Sequence, residues 1–283
     1  MNDEVRWRRA FARELIDMLP PFPELRAAFV GGSAARGYSD AYSDIELLLF
    51  WEREPDPATR RAIRNVWRAD HRLPPAHPSY DSALLVRGVP VDLWQRTVAD
   101  QEVALDRVLR DHSRDLTANA ELDMVCTALP LRGENLVRHW QGRAAAYPEA
   151  LALGFLREQL PHFHLRHLGF AAVRDNPTAF YHTLSDLHCT LFVVLLALNG
   201  SYFPTFKWLY RRLDELPVAP SGITPRLRQM FREVPLTAAA QLHVMLMETL
   251  ALVEEHCPQL DADVLAWARH AVAQGEATRV AQP

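Results

Sequence analysis

The sequence holds a single lysine, Lys207; the other 30 of its 31 basic residues are arginine. A coding bias that turns surface lysines into arginines accounts for this, and a lysine that survives such a bias marks a place where arginine would not serve. Cysteine is scarce too. Cys126, Cys189 and Cys257 are far apart and odd in number, with no CxxC pair, which excludes a zinc ribbon and a disulfide framework. Glycine stands at 11 of 283 residues, hydrophobic residues at 49% and charged residues at 23%. That composition excludes a collagenous, disordered or coiled-coil chain. There is no excess of positive charge: the net charge is −4. A broad basic surface for nucleic acid is therefore not expected, although a local basic groove stays compatible with the count. The longest apolar run, residues 189–198, is too short to cross a bilayer. Residues 1–19 are charged and amphipathic and lack a signal-peptide core. The expectation is a soluble cytoplasmic protein without a membrane partner, and the Asn199-Gly200-Ser201 sequon carries no meaning in that setting.

The chain reads as two halves of different periodicity. Residues 1–115 alternate helical and strand-like patterns. A helix over 5–19 carries Trp7, Phe11, Leu15 and Met18 as a core stripe and stops at Pro20. Strands are expected over 26–31 and 44–51, then a helix over 56–69 with Pro57 in its first turn. Residues 82–86 and 90–95 flank a short turn and predict a hairpin. A helix follows over 97–110. Beyond 115 the signals are helical: 151–174, 178–198, 202–213, 224–232 and 236–273, broken at Asn176-Pro177, Asn199-Gly200, 217–225, Val234-Pro235 and Cys257-Pro258. No internal repeat is visible, and residues 275–283 are expected to fray. The fold class is thus α+β: a small α/β domain with a mixed sheet over 1–115, then an all-helical domain over 116–283.

Residues 30–49 carry the chemistry. A strand ends in Gly31, Gly32 and Ser33, which permit a tight turn and close approach to a ligand. If Ser33 opens a short helix, its N–H groups and hydroxyl face an anion such as phosphate. Eleven residues on, Asp44 and Glu46 flank one apolar residue in a strand and project from one face. Two adjacent carboxylates repel unless a cation holds them, and hard oxygens suit Mg²⁺. Asp92, in the otherwise apolar Val91-Asp92-Leu93-Trp94 strand, joins the pair if the two strands are neighbours. Three carboxylates can hold two metals about 3.5–4 Å apart and clamp an in-line phosphoryl transfer.

This pattern resembles the DNA polymerase β-type nucleotidyltransferase superfamily: a Gly-Ser turn, about ten residues, Asp-x-Glu in a strand, and a third acid on a later strand. Residues 42–46 resemble the aminoglycoside and kanamycin nucleotidyltransferases, and the whole pattern the bacterial DUF4037 nucleotidyltransferases. The latter also carry a helical-tail motif matched here by Asn199, Tyr202, Phe203, Pro204, Lys207 and Trp208. The resemblance covers residues 25–95 and 160–210 and does not extend to the last seventy. It implies transfer of a nucleoside monophosphate from ATP or another NTP, with release of pyrophosphate. Gly31, Gly32, Ser33 and Ser43 would lie at the nucleotide. Asp44 and Glu46 would bind two Mg²⁺ ions, for which Mn²⁺ is a substitute. Asp92 would bind the catalytic metal or take the acceptor proton. Arg36 would neutralise phosphate, or else pair with Asp40 or Asp44. Lys207 would reach the triphosphate from the helical domain, and Tyr202 would stack on the base or belong to the core.

Other features have plain readings. His162, His164 and His167 lack the Glu or Cys of a zinc motif and read as a polar helix face. Arg60, Arg61, Arg64 and Arg68 read as a solvated helix edge, with an RNA contact the remote alternative. The expected function is adenylyl transfer to a hydroxyl of a small, antibiotic-like or metabolite acceptor, with the helical domain closing the cleft. Alternatives are nucleotidylation of a protein or a tRNA end, and a nucleotide sensor without turnover. The chain is expected to be a monomer or homodimer.

Overall fold

The computed structural model describes residues 2–76 and 82–277. The end of the expected frayed tail, 278–283, lies outside them. The chain divides into two compact units, Met1–Asp111 with Glu121–Ala146, and His112–Ala120 with Tyr147–Pro283.

The first unit is built on a six-stranded mixed sheet. Its strands are β1 (Leu25–Val30), β2 (Ile45–Trp51), β3 (Ala69–His71), β4 (Ala83–Val86), β5 (Val89–Thr97) and β6 (Leu129–Arg132), in spatial order β3-β4-β5-β2-β1-β6. Only β2 and β5 run parallel. The expected hairpin is present as β4 and β5. Arg87 and Gly88 form its turn with φ of +52° and +82°, the two left-handed positions that match the twist of the strands.

Residue alternation sorts the sheet into two faces. Ile45, Leu47 and Leu49 of β2 join Val91 and Leu93 of β5, Leu84 and Val86 of β4, and Ala28 and Val30 of β1 in one buried cluster. Each large aliphatic side chain there contributes about 1.5–3 kcal/mol by leaving water. Helices α1 (Asp3–Asp17) and α3 (Pro57–Trp67) close this face, and the Trp67 indole N–H donates to the Leu15 carbonyl (2.8 Å). Asp56 caps α3 by accepting from the Thr59 N–H (2.7 Å), and Pro57 opens it. The opposite face carries Glu46, Leu48 and Phe50 beside Asp92 and Trp94. Phe50 packs on Trp140 of α6 (Glu134–Ala144), ring centroids 4.7 Å apart.

Several expectations change. Asn2 caps α1 and accepts from the Val5 N–H (2.9 Å), and Leu15 and Phe11 of the expected stripe face the core, but the ends of the stripe do not. Trp7 is 37% exposed and Met18 also lies outside, while Arg8 is 3% exposed. The boundary at residue 115 shifts as well. Helix α5 (Leu116–Thr127) begins in the second unit and ends in the first, and β6 and α6 belong to the first. β6 was not expected at all. Its Leu-Pro-Leu-Arg run is too short for a periodic signal, yet it completes the free edge of β1, pairing Val30 with Leu129 and Ala28 with Arg132.

The second unit is helical. Its main members are α7 (Glu149–Gln159), α8 (Arg166–Val173), α9 (Pro177–Leu198), α10 (Leu209–Leu213), α11 (Ile223–Met230), α12 (Pro235–His256) and α13 (Ala262–Ala277). The helix expected over 151–174 is interrupted at Pro161, where Leu160–His162 forms a 3₁₀ turn. The helix expected over 202–213 is only α10 after the 3₁₀ turn Phe206–Trp208. By length and composition α9 and α12 are each apolar enough to cross a membrane. Counting only the unbroken run 189–198 missed this. α9 has 56% of its most apolar stretch buried, and α12 39%.

Candidate functional site

Glu46 and Asp92 share one face of the sheet. Glu46 and Asp92 are direct partners in the parallel β2–β5 register, so their side chains leave the sheet on the same side. Asp44 stands two residues ahead of Glu46, just before β2 begins. This face is the one turned away from the buried aliphatic cluster. The row extends to both sides. The Gly31 N–H donates to the Glu46 carbonyl (2.9 Å). Ala83 pairs with Asp92, and the Arg72 N–H donates to the Ala83 carbonyl (2.9 Å). The Arg72 guanidinium lies 3.3 Å from Asp92 Oδ1.

The glycine bend lies directly against these acids. Gly32 has φ of +57°, and a Cβ built on it would come within 1.6 Å of Glu46 Oε2. Backbone conformation and the neighbouring carboxylate both demand glycine there. At Gly31 a Cβ would meet Met124 Cγ at 2.6 Å. The expected helix follows as α2 (Gly32–Arg36). Ser33 is buried, with its hydroxyl 3.2 Å from that of Ser39.

Three residues of α1 fix the segment between the bend and the acids. Asn2 Nδ2 donates to the Ser39 carbonyl (3.0 Å) and Arg8 Nε to the Ser43 carbonyl (3.0 Å). Arg9 donates to the Ala34 and Ala35 carbonyls, 2.8 Å each. Sequence reasoning missed all three. The available signal was a polar residue, Arg8, on the inward side of an amphipathic helix.

Three of the residues expected at the nucleotide, Arg36, Ser43 and Tyr202, have partners within the protein. Arg36 donates through Nε to Asp123 Oδ2 (2.8 Å) and pairs with it again through a terminal nitrogen. The pair is 7% and 3% exposed, which ties this arginine to α5. Ser43 closes a turn: its hydroxyl donates to Asp40 Oδ1 (2.9 Å) and accepts the Asp40 N–H (3.0 Å). Tyr202, in the helical unit, is buried against Tyr147 with ring centroids 4.8 Å apart, which makes it core. Burial, and then Tyr202, push the Tyr147 phenol above its ordinary range. Lys207 is exposed in the same unit, its ammonium 5.8 Å from the centre of the Trp208 ring. Asn199 ends α9. Its side chain donates to the Leu195 and Val218 carbonyls (2.7 and 2.8 Å) and accepts the Val218 N–H (2.9 Å).

The histidine run is not one helix face. His162 closes the 3₁₀ turn, His164 lies in the irregular stretch after it and His167 is in α8. His164 packs edge-on to Trp267 (4.9 Å), and desolvation, with His162 and His167 adding to it, lowers its pKa.

Among the described residues, no three His, Cys, Asp or Glu side chains are drawn around one point closely enough to hold a metal ion. The donor chemistry of the three acids nevertheless fits a divalent cation. Asp44 Oδ1 is buried and receives no hydrogen bond, a state that calls for a cation or donor. Asp92 already has a positive group, Arg72, against its oxygen. Hard carboxylate oxygens are the ligands Mg²⁺ and Mn²⁺ take.

No family profile matches the chain, and no curated protein matches it. Among solved structures it is similar to a nucleotidyltransferase-like protein from Exiguobacterium sibiricum 255-15, at 13% identity and a TM-score of 0.36. That alignment covers 98% of this chain and 77% of the other.

Proposed function

We propose that the protein transfers a nucleoside monophosphate from an NTP to an acceptor hydroxyl and releases pyrophosphate. The observation that carries this reading is the pair of acids on one sheet face, Glu46 opposite Asp92, with Asp44 two residues away and the Gly32 bend against Glu46. Asp44, Glu46 and Asp92 would hold Mg²⁺, or Mn²⁺ in its place. When bound, the metal polarises the phosphoryl group and lowers the pKa of the acceptor. Asp92 takes the acceptor proton as the new O–P bond forms, and the bond from the α-phosphorus to the bridging oxygen breaks. The backbone around Gly31, Gly32 and Ser33 receives phosphate oxygens. ATP is the proposed donor and a small hydroxylated molecule the acceptor. The net charge of −4 favours a cationic acceptor.

The test is to incubate the protein with Mg²⁺ and each NTP, with and without an aminoglycoside, a lincosamide or tRNA, and to follow pyrophosphate. Asp44→Ala is expected to abolish turnover and to weaken Mn²⁺ binding followed by electron paramagnetic resonance. Unchanged turnover in that variant overturns the assignment. The Arg72–Asp92 contact favours a second reading, nucleotide binding without turnover, whose mark is ATP binding with no pyrophosphate from any acceptor.

A further inference from the structure

A hollow of about 680 Å³ opens at the β6 edge of the sheet, on the face opposite Glu46 and Asp92. Arg9 and Arg13 reach it from α1, Arg132 from β6 and Arg138 from α6. Leu129 and Leu131 supply apolar wall, and both pack on the aliphatic cluster. The lining holds one acid, Glu134, which accepts from Arg138 Nε (2.9 Å).

Four arginines against one acid in the lining is an imbalance in a chain of net charge −4. Elsewhere arginines face acids: Arg96 meets Glu121, Arg226 meets Glu248 and Arg269 meets Glu254. In the hollow, Arg13 and Arg132 have no carboxylate partner among the described residues. Glu14, the acid beside Arg13, is turned to Arg87 (2.8 Å). Arg132 reaches only the Phe22 carbonyl, at 3.5 Å. Like charges lining one hollow repel, and an anion with several oxygens relieves that repulsion through charge-assisted hydrogen bonds. The volume falls in the range of small-molecule sites, and the leucine wall asks for a ligand with an apolar or flat body.

We infer that this hollow is a second binding site, for an organic phosphate monoester of about nucleotide size, and that it works without a metal. Its occupant needs two negative oxygens for Arg13 and Arg132 and a body for the Leu129–Leu131 wall. Arg9, which also lines the hollow, gives its donors to the Ala34 and Ala35 carbonyls of α2.

Calorimetric titration in EDTA at low salt tests this with AMP, inorganic phosphate and adenosine. AMP is expected to bind more tightly than phosphate, and adenosine not to bind. The Arg13→Ala, Arg132→Ala double variant should lose at least about tenfold in AMP affinity. Arg13→Glu, a change at an exposed helix position that leaves the fold intact, should show the same loss. Asp44→Ala should bind AMP as the unaltered protein does, which separates this site from the acid row and from the fate of the transferase reading. Absence of AMP binding, insensitivity to the arginine changes, loss on Asp44→Ala, or phosphate binding as tightly as AMP would each overturn the inference.

Discussion

Removing Asp123 tests how the bend beside the acids is held in place. Asp123 is 3% exposed and its partner Arg36 is 7% exposed. Arg36 is the last residue of α2, four positions from Gly32. Taking away one member of a buried pair leaves an uncompensated charge, which costs about 3–5 kcal/mol. Asp123→Ala should therefore destabilise the sheet unit by that order, and Arg36→Met by a comparable amount, since each strands the other. The double replacement Arg36→Met, Asp123→Leu strands neither. It should recover to within about 1–2 kcal/mol of the original stability. The coupling between the sites is then at least about 4 kcal/mol, well above the roughly 0.3–0.5 kcal/mol of independent positions. Urea unfolding followed by tryptophan fluorescence reads this, because Trp7, Trp51, Trp67, Trp94 and Trp140 lie in the same unit as the pair. Single variants whose losses simply add in the double variant would refute the argument that these charges depend on each other.

Gly32→Ala should cost about 1–2 kcal/mol from the left-handed backbone alone. It should also displace the Glu46 carboxylate, so that turnover falls further than unfolding measurements account for. His188 lies 3% exposed in α9 with neither ring nitrogen hydrogen-bonded, and burial lowers its pKa to about 4 from an ordinary 6.5. The folded state then binds fewer protons than the unfolded chain. The resulting stability is present above pH 6.5 and is lost as pH falls toward 4, by about 3 kcal/mol over that window. His188→Leu should raise the melting temperature of the helical unit and flatten the acid limb of its pH profile; an unchanged limb rejects the assignment. Replacing Arg8 by Met leaves the Ser43 carbonyl without its donor and should cost about 1–3 kcal/mol, with Mn²⁺ binding weakened along with it.

The parts legible from the sequence are those fixed by local spacing. The two-residue spacing of Asp44 and Glu46 is read directly from the chain, and the Arg87-Gly88 hairpin needs only its own turn chemistry. The partnership of Glu46 with Asp92 was an expectation conditional on strand neighbourhood, and the parallel register now supplies it. What stayed hidden depends on distant partners. Nothing near Arg36 points to Asp123, 87 positions away, and the phosphate and the carboxylate are interchangeable as reasons for an arginine there. Leu129 to Arg132 becomes a strand only because β1 offers an unfilled edge.

The first helix shows why hydrophobicity alone does not define a face. Of the apolar stripe, Leu15 is buried and Phe11 packs on the core, yet Arg8 is buried as well and Trp7 is exposed. A guanidinium is tolerated inside only if its donors are met, and here the Ser43 carbonyl, the Glu4 carbonyl and the Glu4 carboxylate meet them. Trp7 still buries part of its ring, with the Arg8 guanidinium 4.3 Å from the ring centre, and its indole N–H donates to Glu4 (2.9 Å). The helix therefore turns Arg8 inward beside its apolar residues, where the loop ahead of Asp44 needs a donor. Asn2, Arg8 and Arg9 take up the carbonyls of Ser39, Ser43, Ala34 and Ala35, and those carbonyls belong to the one segment that joins the glycine bend to the acids. The polar residues of α1 are thus the scaffold of the site, and their placement follows from satisfying backbone acceptors in a loop that has no strand partner of its own.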